Sequence, residues 1–210
     1  MTREEYLKDP CAVLSIPYWK AKAITAPGNM RIVHDRDFSP DAFKDYDYTD
    51  ERYFRLRHDL QRIGQTRLPD FRIETAGPAQ LDTIVSVINR SYTDLAVSAS
   101  QLEGYMHTPV YVPELWLLVR ERATGICTAC GIADFDQETA ELTLEWIQVL
   151  PGYRGRKIGQ TLVNALLDRG RAGAAFATVS GKMDDPAHPE ALYRKCGFVG
   201  QDVWHVLRKK

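Results

Sequence analysis

The segment Gln148-Val149-Leu150-Pro151-Gly152-Tyr153-Arg154-Gly155-Arg156-Lys157-Ile158-Gly159-Gln160 constrains this chain more than any other. Leu142, Leu144, Trp146, Ile147 and Val149 lead into it as an apolar strand, and Ile158, Leu162, Val163, Ala165 and Leu166 lead out of it as the stripe of a helix. Between them lies a short loop with glycines and three cationic side chains. A strand, a basic glycine loop and a helix start together make a trap for phosphate. Glycines let the backbone approach the anion, the first helical N–H groups point at it, and the helix dipole favours negative charge there. Arg154, Arg156 and Lys157 add charge-assisted hydrogen bonds. The loop has neither G-x-x-x-x-G-K-S/T nor G-x-G-x-x-G, so it is not a triphosphate P-loop or a dinucleotide-binding turn. The alternative reading is a solvated basic turn between a core strand and a core helix.

The loop resembles the pyrophosphate loop of the GNAT N-acetyltransferases, Q/R-x-x-G-x-G/A after an apolar strand, with Arg154 first and Gly159 last. Lys157 departs from that pattern, standing where the family usually has glycine. Its backbone N–H stays on offer provided its φ is in the ordinary helical range, and its side chain can add a contact to phosphate. A second segment, His188-Pro189-Glu190-Ala191-Leu192-Tyr193-Arg194-Lys195-Cys196-Gly197-Phe198, resembles the family's short helix ending in A-L-Y-x-K-x-G-F. The resemblance runs from about Phe71 to the C-terminus.

That resemblance implies acetyl-CoA as cosubstrate, held by Gln148, Val149, Arg154, Gly155, Arg156, Lys157, Ile158, Gly159, Gln160 and His188. The loop would take the pyrophosphate, the strand the pantetheine arm, and the N–H of Val149 the thioester carbonyl. His188 lies near the position where many members carry an asparagine. Tyr193 occupies the general-acid position: a phenol with its ordinary pKa of about 10 is neutral at neutral pH and can protonate a departing thiolate. The alternative for Tyr193 is a packing role.

Glu145 is the candidate base. Glu141, Thr143 and Glu145 alternate with Leu142 and Leu144, so one face of this strand is polar while the other enters the core. A carboxylate on that face can take a proton, or only attract a cationic amine. A bulge in the strand would shift the parity after it. Ser91, Tyr92, Asp94, Tyr105 and His107 are polar or aromatic candidates for the acceptor pocket, and His205 reads as structural.

The rest of the chain bounds the answer. Its 210 residues, 44% hydrophobic and 26% charged, suit one generous soluble domain, or one domain with an extension. A net charge of −1 gives no pull toward nucleic acid or anionic membrane. No apolar run approaches the roughly 18–20 residues of a membrane span. The polar start Met1-Thr2-Arg3-Glu4-Glu5-Tyr6 lacks a signal core, so a cytoplasmic location is expected. Cys127 and Cys130 have C-x-x-C spacing within a strand, where residues three apart face opposite sides. No metal is expected.

From Phe71 the pattern reads β-α-α-β-β-β-α-β-α-β, an α/β mixed sheet with helices on both faces, and this is also the element order of the GNAT-like acyl-CoA N-acyltransferase fold. Residues 71–210 form that domain. Residues 1–70 read as an N-terminal extension of unassigned role, with a short strand at 29–34 and a helix over Asp50 to Ile63 capped by Asp50. The tyrosines and aspartates of 41–53 cover a sheet edge, or form a lid.

The expected function is transfer of an acetyl group from acetyl-CoA to a primary amine by direct transfer in a ternary complex. The acceptor, a small-molecule or peptide amine, is not identified by any motif, and a homodimer contact is left open. The rival readings are a non-catalytic acyl-CoA-binding sensor or interaction module, and a nucleic-acid-associated protein, which the near-neutral charge disfavours.

Overall fold

The computed structural model describes residues 1–43, 47–91 and 96–210. Three short helices open the chain: α1 (Arg3–Lys8), α2 (Pro10–Val13) and α3 (Tyr18–Ala23). The strands β1 (Met30–His34) and β2 (Tyr48–His58) follow. Then come β3 (Phe71–Thr75), α4 (Leu81–Ser91), α5 (Ala99–Met106), β4 (Trp116–Glu121), β5 (Cys127–Asp136), β6 (Glu141–Val149), α6 (Ile158–Gly170), β7 (Phe176–Lys182), α7 (Pro189–Lys195) and β8 (Val199–Lys209). The order expected from Phe71 onward is the order observed.

All the strands join one eight-stranded sheet in the order β1-β8-β2-β7-β6-β5-β4-β3. Among the described residues only β6 and β7 pair in parallel, joined through α6 as a crossover; the other pairs are antiparallel. The line drawn at residue 70 therefore separates no sheet from another. β2 lies between β7 and β8, and β1 covers the outer edge of β8.

The helix expected over Asp50 to Ile63 is corrected by this structure: the segment is strand β2 to His58, and the chain turns at Leu60, whose φ is +61°. Phe54, Leu56, Leu60 and Ile63 mimic a helical stripe, but Phe54, Leu56 and His58 also alternate by two. Pairing on both edges, with β7 and β8, settles the ambiguity. A strand between two others has both edges paired, and here, with helices on the sheet, even Arg55 is buried.

One face of the sheet packs under α6 and α7, where Phe54, Leu56, Leu144, Leu162, Val179 and Phe198 form the main core. The other face is covered in two parts. Helices α4 and α5 pack Ile84, Ile88 and Leu102 on Trp116 and Ile132. The N-terminal helices lay Tyr6 and Tyr18 over Phe176. Tyr6 donates to Glu141 Oε2 at 2.6 Å, so α1 is keyed into β6 by a buried polar contact.

The C-x-x-C pair departs from simple alternation. The register of β4 on β5 shifts between Val119 and Arg120, so Thr128 is an extra residue. That bulge brings Cys127 to the same apolar cluster as Cys130. All four cysteines are free thiols.

Candidate active site

The site begins where β6 leaves β7. The two strands pair from Glu141 with Phe176 to Leu144 with Val179, and their pairing ends there. β6 remains paired with β5 as far as Val149 with Ala129. From Glu145 to Val149 one edge of β6 therefore faces a gap. The divergence coincides with a bulge: Leu144 opposes Ala133 and Trp146 opposes Ile132, leaving Glu145 as the extra residue. A bulge bends its strand and increases its twist, a physical reason for the two strands to part at this point. It also shifts the parity. Leu144, Ile147 and Val149 lie on the α6 side, whereas Trp146 packs on the α4 side.

The direction of the free backbone groups follows from one hydrogen bond. Leu150 N–H donates to Thr128 O at 2.9 Å, toward β5. Successive N–H groups of a strand point to opposite edges, so those of Val149 and Ile147 point into the gap. An extended amide-containing arm laid there could pair with them as a substitute strand.

The gap opens toward the basic loop. Pro151–Tyr153 form a single 3-10 turn, and Gly155, at φ +79°, takes a conformation that glycine adopts without strain. Lys157 is the N-cap of α6 and has φ +61° and ψ +8°, in the left-handed region. The condition of an ordinary helical φ at Lys157 is therefore not met. A non-glycine residue pays about 1–2 kcal/mol for this conformation, and a glycine would not. Lys157 makes no side-chain cap bond. The N–H groups of Ile158, Gly159 and Gln160, in the first turn of a 13-residue helix, have no acceptor within the helix. Gly159 is small of necessity: a Cβ there would stand 3.2 Å from Leu192 Cδ2 and 3.5 Å from Val149 Cγ2, so its absence lets α6 sit close to both α7 and β6.

The three loop cations are placed differently. Arg154 folds back, its Nε donating to Val149 O and its guanidinium to Ser91 O, each at 3.2 Å. It ties the end of β6 to the end of α4. Arg156 lies 5.0 Å over the Tyr153 ring and reaches Glu121 at 4.0 Å. Lys157 is exposed beside the helix start. Uncapped N–H groups, a positive-φ loop and exposed cations fit a pyrophosphate, and the open edge of β6 fits the arm that would follow it.

Tyr193 and Glu145 belong to opposite faces of the sheet. Tyr193, on α7, is buried with its ring between Phe54 and Phe198, at centroid distances of 6.1 and 5.8 Å. Glu145 lies on the other face, where the Lys20 ammonium of α3 meets both carboxylate oxygens at 3.1 and 3.2 Å. His188 is the exposed N-cap of α7, at φ +47°. Gln148 is buried in β6.

Two residues of this site carried no signal strong enough to read in the sequence. Lys20 follows an aromatic pair in a segment without a motif. Asp134, opposite Thr143 on β5, is a carboxylate at a buried strand position, and that misplacement was the available clue. Burial first, and then the charge of Glu145, push its pKa up to about 8, against the pull of Lys20. For Lys20, burial lowers the pKa, but Glu145, Asp134 and Tyr105 outweigh it and hold the ammonium above the ordinary lysine value. The polar face of β6 is thus largely covered by α1 and α3, with Glu145 partly exposed.

Of the acceptor-pocket candidates, Ser91 ends α4, Tyr105 is exposed on α5 and His107 caps it; Tyr92 and Asp94 lie outside the described residues. His205 is buried between Asp50 and Asp35 at 2.8 and 3.1 Å and stacked on Phe38, a structural role. A groove of about 640 Å³ lined by Arg67, Phe71, Arg122 and Arg169 shares no residue with the gap. Among the described residues no His, Cys, Asp and Glu side chains group as a metal site, and no helix is long and apolar enough to cross a membrane.

Residues 113–200 match the family model of the acetyltransferase (GNAT) domain. No curated protein matches the chain by sequence. Among solved structures, the chain is similar to a GCN5-related N-acetyltransferase from Sphaerobacter thermophilus, with TM-score 0.72 and 16% identity over 90% of this chain and 63% of that one. It is similar to a GNAT-family acetyltransferase from Colwellia psychrerythraea, with TM-score 0.60 and 17% identity over 85% and 64%. It is also similar to the ribosomal-protein-S18-alanine N-acetyltransferase from Escherichia coli, with TM-score 0.53 and 18% identity over 65% and 91%. At these identities the likeness is one of fold. The chain spans less than two thirds of the first two proteins.

Proposed function

We propose that this chain, whose residues 113–200 match the family model of the acetyltransferase (GNAT) domain, transfers an acetyl group from acetyl-CoA to a primary amine, directly and in one ternary complex. The observation that carries the reading is the combination of an open β6 edge with an uncapped α6 start at its far end. When bound, acetyl-CoA supplies an activated acyl group. This chain's residues do the rest. The N–H groups of Ile158, Gly159 and Gln160 hold phosphate, with Lys157 beside them. Val149 and Ile147 offer N–H groups to the arm and to a carbonyl oxygen that gains charge. Glu145 orients the amine and takes its proton, and Tyr193 protonates the departing sulfur.

The position of Glu145 at the apex of the gap supports its role at the reacting end. The loop and the apex lie at opposite ends of the open strand, about 13 Å apart at roughly 3.3 Å per residue, so an arm anchored by phosphate at the loop delivers its far end to Glu145. Calorimetric titration with acetyl-CoA, beside an Arg154→Ala/Lys157→Ala variant, tests the reading. Micromolar binding weakened in the variant is the expected result. No binding by the unaltered protein would reduce the loop to a basic turn.

A further inference from the structure

We infer that Lys20 is itself an acetyl acceptor: the site acetylates the Lys20 Nζ of its own chain. This rests on the acetyl-transfer reading above. The contact that carries it is the pair Lys20–Glu145. A primary amine on an alkyl chain, delivered by α3, already sits 3.1 Å from the carboxylate at the apex of the gap. That is the place where the acceptor of a direct transfer has to stand. The side chain is partly shielded, at 28% exposure, and Glu145 at 21%. The nearest lysine in sequence, Lys22, is different in kind: it is 55% exposed and pairs with Glu138 at the surface.

The charges around Lys20 hold it as an ammonium at rest. Glu145 is the carboxylate in contact with it, and Asp134 and Tyr105 add to the same side of the balance when ionised. An ammonium has no lone pair, so the reaction begins with loss of a proton to Glu145. The Lys20 nitrogen then bonds to the carbonyl carbon of the acyl thioester, and the carbon–sulfur bond breaks with its electron pair going to sulfur. Tyr193 gives that sulfur a proton and recovers one from solvent. The nitrogen sheds its second proton as the amide forms. The balance is one ammonium and one acetyl thioester in, one amide, one thiol and one released proton out. The product amide carries no charge, so it releases Glu145 from its ion pair and leaves the carboxylate to an incoming amine.

The test starts from full-length protein whose Lys20 is unmodified by mass. It is incubated with acetyl-CoA, and acetylation at Lys20 and Lys22 is followed by peptide mass spectrometry. The same protein, Tyr193→Phe and Lys20→Arg are titrated with acetyl-CoA by calorimetry. Positioning predicts Lys20 modified at least roughly tenfold faster than Lys22, although Lys22 is the more exposed. The rate constant is unchanged across a protein dilution series and falls in Tyr193→Phe, while all three proteins bind acetyl-CoA alike. If acetyl-CoA binds and Lys20 stays unmodified, the inference is wrong and the acetyl-transfer reading survives. Equal modification of Lys20 and Lys22, or no effect of Tyr193→Phe, marks ordinary chemical acetylation and overturns it too. Absence of acetyl-CoA binding removes both readings together.

Discussion

Arg55 on β2 donates to Glu141 on β6 at 3.2 Å, and neither side chain is more than 1% exposed. The strands do not pair with each other; β7 lies between them. Thr178 of β7 also donates to Glu141, and Tyr6 of α1 completes the cluster. One buried charge pair thus holds the N-terminal segment and the strand that carries the site in a single body. Breaking such a pair strands a charge in the interior. Glu141→Gln is expected to lower stability by about 3–5 kcal/mol, and Arg55→Met/Glu141→Leu by less, because no charge is left over. Urea unfolding of the three proteins measures both. A double variant no better than the single one would show that the pair itself is net stabilising.

Lys157 bears the strain of its left-handed conformation. Lys157→Gly should raise stability by up to about 1 kcal/mol, the difference between relieved strain and the extra backbone entropy of glycine. The same substitution removes an exposed cation from the helix start. Thermal unfolding and acetyl-CoA titration separate the two effects. A variant that is more stable and binds more weakly assigns the side chain to phosphate. Unaltered binding assigns the contact to the backbone alone.

Asp134 makes stability depend on pH in the direction opposite to a salt-bridged carboxylate. Its pKa is raised from 3.8 to about 8 in the folded chain. Between those values the folded form holds a proton that the unfolded form has released, so stability falls as pH rises through the window. Asp134→Asn removes that contribution. The variant should show a flatter fall in stability between about pH 4 and 8 than the unaltered protein, read from denaturation midpoints across pH. Parallel curves for the two proteins would show that Asp134 titrates normally.

Tyr193 and Glu145 separate by kinetics. Removing a general acid costs typically about 10²–10⁴ in rate, so Tyr193→Phe should lower kcat on that scale with acetyl-CoA affinity unchanged. Glu145→Gln should lower kcat if Glu145 takes the proton. A rise in KM alone would make it a group that only binds the ammonium. Steady-state kinetics with any accepted amine, read by release of free thiol, decides each case.

Much of this was legible in the sequence, and for a local reason. The apolar strand, the glycine loop and the helix from Ile158 are contiguous, so their order is written in consecutive residues, as is the helix carrying Tyr193. The element order from Phe71 followed from periodicity together with caps and turn residues such as Pro78, Ser98 and Gly125. What the tertiary structure decided is non-local. Residues 50–58 present a pattern that suits either period, and only pairing with β7 and β8 made it a strand. The conformation of Lys157 depends on how the loop closes onto α6. The parting of β6 from β7 after Leu144 depends on a bulge whose extra residue is defined only against a partner strand. The neighbours of Glu145 come from position 20, across more than a hundred residues, and from position 134 on the paired strand β5, and no spacing in the chain announces either contact.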